Sequence, residues 1–139
     1  MLALYVIEPE MWYQPSASMR NWQVMQAALF DLERAIEQHG GSLCIRIGNM
    51  MEVLVELRQT LDHFTLLAHE EIGEDWSFTR DRDVAAWCAG AGISFSELPQ
   101  FGVFRGQHDR DGWAARWQHF MRRDLVELPL QTLWQQADS

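Results

Sequence analysis

The chain has 139 residues, 47% of them hydrophobic, with 11 Lys+Arg against 20 Asp+Glu and a formal charge of −9. This length suits one domain with its own core, and the apolar share excludes a disordered chain. A net negative surface disfavours direct binding of nucleic acid, whose affinity comes from cations that neutralise phosphates.

Residues 2–7, LALYVI, form a continuous apolar run closed by Glu8-Pro9, as expected of a strand covered on both faces. Pro9 and Pro15 break regular structure over residues 10–17. A helix follows over Ser18 to Gln38, where Trp22, Met25, Leu29, Leu32 and Ile36 make one apolar stripe and Gly40-Gly41 supplies the stop. Residues 43–47, LCIRI, read as a second strand, with Gly48-Asn49 as its turn. Met51, Leu54, Leu57 and Leu61 mark a second helix, and residues 64–68, FTLLA, a third strand ending at His69.

A polar loop, His69 to Trp76, leads to a third helix marked by Val84, Trp87, Cys88 and Ala91 and closed by Gly90 and Gly92. Residues 93–98 form a fourth strand stopped by Pro99. After the loop QFGVFRGQHDRDG, a fourth helix carries Trp113, Trp117, Phe120 and Met121. The tail from Asp124 to Ser139 has no clear period. This alternation of strand and helix predicts an α/β fold with a helix-covered parallel sheet of four or five strands.

No stretch approaches the ~18–20 apolar residues of a membrane-spanning helix, and Met1 leads into an apolar run without a basic leader. Cys44 and Cys88 each lie in an apolar segment, as buried free thiols do, and a reducing cytoplasm is the simplest compartment. Arg105, Arg110, Arg116, Arg122 and Arg123 could form a local basic patch, although scattered arginines on a solvated helix face read better.

Ligands of open α/β sheets sit beyond the carboxyl ends of the strands, which singles out Glu8-Pro9-Glu10, Gly48-Asn49 and the loop from His69 to Trp76. His69, Glu70, Glu71, Glu74 and Asp75 group an imidazole with four carboxylates. A divalent cation could use such a set, but the spacing matches no metal motif, and acidic residues before a helix are ordinary caps. A small polar ligand fits the loop better. There is no GxGxxG, GxxxxGK[ST] or GxSxG, so the common phosphate cradles and the nucleophilic serine elbow are absent. Asp111 is expected to cap the fourth helix, and the Trp113/Trp117 pair to pack in the core.

Several segments together resemble one family. LYVIEPEMW with the helix beginning near SMRNW resembles the second strand and following helix of the photolyase/cryptochrome α/β domain. LLAHEEIGEDWSFTRDRDVAAWC resembles its fourth strand, acidic loop and arginine–aspartate helix. ELPQFGVFRGQHDRDGWAARWQHFM resembles the link from its last strand toward the interdomain region in bacterial cryptochrome-like photolyase relatives. The resemblance covers roughly residues 2–123 and implies a three-layer Rossmann-like domain over 1–123, with 124–139 as a tail or the start of a linker.

The resemblance further implies a role. Full-length members carry FAD in a C-terminal helical domain, where light-driven electron transfer splits pyrimidine dimers (carbon–carbon lyase chemistry) or serves blue-light signalling. The α/β domain commonly holds an antenna chromophore, a folate or deazaflavin. Here Glu8, Pro9, His69, Glu70, Glu71 and Trp76 are expected to line that site, with Trp76 stacking the ring. The chain departs from the family pattern in lacking the helical FAD domain and the first strand with its VxWFRxDLR-like turn. The chain alone is therefore expected to be non-catalytic and to make no direct contact with DNA or membrane. The missing strand lies mid-sheet in the family, so an unpaired inner edge and self-association through it are expected. The alternatives are a stand-alone nucleotide-binding or interaction module, with Gly48-Asn49 as its phosphate site, and a structural fragment without ligand.

Overall fold

The architecture comes from a computed structural model, which describes residues 1–99, 102, 103, 105 and 111–125. The chain divides into two compact units, with the boundary after Val55.

In the first unit, β1 (Ala3–Ile7) and β2 (Leu43–Ile47) pair in parallel, Ala3 opposite Leu43 and Ile7 opposite Ile47. The crossover between them is α1 (Met19–Gln38). It starts at Ser18, whose Oγ accepts the Asn21 N–H at 3.2 Å. Serine suits this position because its hydroxyl satisfies an N–H that the first helical turn leaves over. Leu29 and Ile36 are buried with Leu43, and Ala3, Tyr5 and Met25 pack against them. Leu32 of the expected stripe stands 46% exposed, so the buried face of α1 is narrower than its apolar spacing suggests. Pro9 and Pro15 do not exclude all regular structure: a short 3-10 helix, Pro9–Tyr13, follows β1, with proline at a helix start where no N–H is needed. α2 (Met50–Thr60) begins in this unit and buries Val53 and Leu54.

In the second unit, β3 (Thr65–His69) and β4 (Ser94–Leu98) pair in parallel, Thr65 opposite Ser94 and His69 opposite Leu98. Their crossover is α3 (Asp75–Ala91), which packs on β4. Ser77, Asp81, Val84 and Cys88 are the buried positions of α3, and their spacing puts them on one face. The helix reaches back to Asp75 and runs through Gly90. It ends at Gly92, whose φ of +66° is the left-handed conformation that glycine adopts most easily. Cys44 and Cys88 are both free and buried, and burial pushes the Cys88 thiol above its ordinary value.

The strands thus form two parallel ladders, β1–β2 and β3–β4, rather than one described ladder of four or five strands. Each is a β-α-β unit, which is the repeating piece of a Rossmann-like α/β fold. Among the described residues, β1 ladders with β2 alone and β3 with β4 alone.

α4 (Trp113–Met121) corrects two expectations. Asp111 is not its side-chain cap; Gly112 takes that position, and the Asp111 carbonyl accepts the Arg116 Nη1 donor at 3.1 Å. Trp113 and Trp117 do not enter a core: they stack on each other at 6.2 Å and stand 47% and 38% exposed. The four-residue spacing brought the rings together on an exposed face of the helix. Among the described residues, no helix is long and apolar enough to cross a membrane.

Candidate functional site

The carboxyl edge of the β3–β4 ladder is built by backbone bonds that carry the chain past the end of β3. The Glu70 N–H donates to the Leu98 carbonyl at 2.9 Å, one residue beyond the ladder. At Glu71 both backbone groups are held. Its N–H donates to Asp81 Oδ2 at 3.2 Å, and its carbonyl accepts Arg105 Nε at 2.5 Å. The chain then turns through Ile72-Gly73 into α3. There the Ser77 hydroxyl donates to the Glu74 carbonyl at 2.9 Å and accepts the Glu74 N–H at 3.4 Å.

This turn, the first residues of α3, and Val103 and Arg105 after β4 line an open pocket of about 260 Å³. Glu71, Ile72, Gly73, Glu74, Asp75, Phe78, Val103 and Arg105 line it. Beside it lies a charged hub centred on Asp81, which is 8% exposed. Its Oδ2 accepts Arg105 Nη2 at 2.5 Å and its Oδ1 accepts Arg80 Nη2 at 2.8 Å. Arg105 Nη1 reaches Glu97 Oε1 at 2.9 Å, and the same guanidinium lies over the Phe78 ring at 5.2 Å.

The electrostatics follow from these bonds. Burial by itself raises the Asp81 carboxyl, but hydrogen bonds from Arg105 and Arg80 outweigh it, so the group sits below its ordinary value. Burial alone likewise lowers Arg105, yet Asp81 and Glu97 reverse the direction and hold it above its ordinary value. A carboxylate so held can fix backbone, because it accepts from two guanidinium groups and one N–H at once.

The expected site residues divide between the units. In the first, Glu8 is 3% exposed, and its Oε1 accepts the Met50 N–H at 3.2 Å. Asn49 Oδ1 accepts the Met51 N–H at 2.9 Å. The start of α2 is thus supplied with acceptors from the protein itself, and this weakens Gly48-Asn49 as a phosphate cradle. Pro9 opens the 3-10 helix.

In the second unit, Glu71 lines the pocket, while His69 closes β3 and Glu70 extends the ladder. Trp76 is half-buried, with the Arg80 guanidinium over its ring at 5.6 Å. The aromatic wall of the pocket is Phe78. Asp81, Phe78 and Val103 were not legible as site residues, and Arg105 read as part of a scattered basic set. One signal existed for Asp81: it falls on the apolar face defined by Val84 and Cys88, where a carboxylate needs partners. Among the described residues, no group of three or more His, Cys, Asp or Glu side chains is placed to hold a metal ion.

A family model described as DNA photolyase matches residues 1–111. No curated protein and no solved structure matches the chain.

Proposed function

Because the chain belongs to the DNA photolyase family, we propose that it is the light-collecting α/β part of a photolyase-related protein. In this reading the pocket at the carboxyl edge of β3–β4 holds the planar ring of an antenna chromophore, a folate or a deazaflavin. Light-driven repair of pyrimidine dimers, or blue-light sensing, then proceeds with FAD in a helical domain that supplies the redox chemistry. The carrying observation is the pocket itself, placed where α/β folds collect ligands.

The residues of the chain have separable tasks in this role. Phe78, Ile72 and Val103 offer the apolar surface a ring needs, and Glu71 and Asp75 offer acceptors at the rim. Arg105 and Asp81 act through the wall: they hold the backbone at Glu71, and so set its shape.

Titration of the chain with a reduced folate and with 5-deazariboflavin, followed by ligand fluorescence and by melting temperature, tests the reading. A saturable change with either ligand, abolished in Phe78→Ala, supports it. No saturable change with both overturns it. The chain by itself is expected to give no photoreactivation of dimer-containing DNA.

A further inference from the structure

β3 keeps one edge of its ladder open. The Glu70 N–H donates to the Leu98 carbonyl of β4, and backbone groups alternate sides along a strand. Leu66 and Ala68 therefore also turn theirs toward β4, whereas Thr65, Leu67 and His69 turn theirs to the opposite edge. Among the described residues β3 ladders with β4 alone. The side chains of Thr65, Leu67 and His69 are exposed, that of Leu67 to 64%, so solvent reaches this strand.

An open edge is ordinarily guarded by a charged side chain, a proline or a bulge, because it templates pairing with another chain. β2 carries Arg46 and β4 carries Glu97, but β3 reads TLLAH, without proline and without Lys, Arg, Asp or Glu. Its register on β4 is continuous from Thr65 to His69, so no bulge twists the edge away.

Symmetry and charge identify the occupant. Two copies that share a two-fold axis at Leu67 run their β3 strands antiparallel. In that register Leu67 exchanges both backbone bonds with Leu67 of the second copy, and Thr65 does the same with His69 at either end. Every outward N–H and C=O of the strand then finds a partner. The two Leu67 side chains meet on the exposed face, and no fixed charge meets its like. A chain of net charge −9 repels its own copy as a whole, so an uncharged strip is where two copies approach most easily.

We propose that β3 is a self-pairing edge, through which two copies of the chain form one continuous sheet in the order β4-β3-β3-β4. This holds whether or not the pocket binds a ring. The contact is small, one strand from each copy, so the dimer is weak, with a dissociation constant of about 0.1 mM.

Sedimentation equilibrium of the whole chain from about 10 μM to about 1 mM reads the association. Raising ionic strength from about 0.01 M to about 0.5 M screens the overall repulsion and tightens the dimer, the opposite of a contact made by ion pairs. Leu67→Lys sets two cations face to face across the axis and weakens association about tenfold, although it lowers the net charge. Leu67→Pro removes an N–H that serves only the open edge, and abolishes association. Circular dichroism checks that each variant folds; should the proline variant unfold, the lysine variant decides. Hydrogen exchange reads the register: the Leu67 and His69 amides slow as concentration rises, while those of Leu66 and Ala68, held by β4, are slow throughout. A monomer at about 1 mM, a dimer that a folded Leu67 variant leaves intact, or a Leu67 amide whose exchange does not change with concentration overturns the proposal.

Discussion

Arg105 and Asp81 stand 24 positions apart in the chain, and the guanidinium Nη2 of the first donates to the carboxylate Oδ2 of the second at 2.5 Å. The bond ties the segment after β4 to the buried face of α3. Asp81 also holds the Glu71 N–H, so one carboxylate links helix, loop and strand end. A carboxylate that makes three contacts at once is a sharp target for mutation.

Asp81→Ala is expected to destabilise the fold by about 2–4 kcal/mol, because it removes one acceptor shared by Arg105, Arg80 and the Glu71 N–H in a partly buried place. Arg105→Ala should cost less, about 1–2 kcal/mol, since Asp81 keeps Arg80 and the Glu71 N–H. Urea unfolding of both variants measures the difference. A cost below about 0.5 kcal/mol for Asp81→Ala would remove the hub from the account of stability.

The same carboxylate predicts an acid limb of stability. Its folded-state value lies below its ordinary one, despite a burial effect that runs the other way. The unfolded chain therefore takes up the proton first as pH falls. The contribution is complete above the unfolded value of about 3.9 and is lost as pH drops through the folded value. Melting temperature measured from pH 7 down to pH 3 should fall less steeply below about pH 4 in Asp81→Asn than in the parent chain. Parallel curves would refute this.

Glu8 makes a comparable bond in the first unit, where its buried carboxylate accepts the Met50 N–H at the start of α2. Glu8→Ala should cost about 1–2 kcal/mol, the usual penalty for losing a helix-start acceptor. Glu8→Gln, which keeps a carbonyl oxygen at that place, should recover about half of the loss. Thermal unfolding of the two variants side by side reads the ratio, and equal losses would argue against the hydrogen bond as the cause.

Two glycines of α3 should respond in opposite directions. Gly90 lies within the helix with nothing in the way of an added Cβ, so Gly90→Ala should stabilise by about 0.5–1 kcal/mol. Gly92 has the same open space but a φ of +66°, so Gly92→Ala should destabilise by about 1 kcal/mol. Shifts of the same sign in calorimetry would contradict the assigned end of α3.

The order of strands and helices was legible from the chain alone, since apolar runs and helical stripes report local geometry that each segment carries within itself. Leu29 and Ile36 were both marked by their spacing and both are buried. The same spacing placed Trp113 and Trp117 in a core, and there it failed. Periodicity shows that two side chains share a face, but not that another element lies against that face. The site shows the same division. The acidic loop stood out by composition, and Glu71 from it lines the pocket, whose one aromatic lining residue among those described is Phe78.

The sequence by itself determined the α/β alternation, the ends of α1, the glycine stop of α3 and the acidic character of the β3–α3 loop. These depend on capping groups, glycine conformations and charges that act within a few residues. Only the tertiary structure decided that Arg105 serves Asp81, Glu97 and the Glu71 carbonyl, and that Glu8 accepts the Met50 N–H at the start of α2. Those pairings join groups brought near by the β-α-β crossovers, and no local pattern records which distant donor will reach a buried carboxylate.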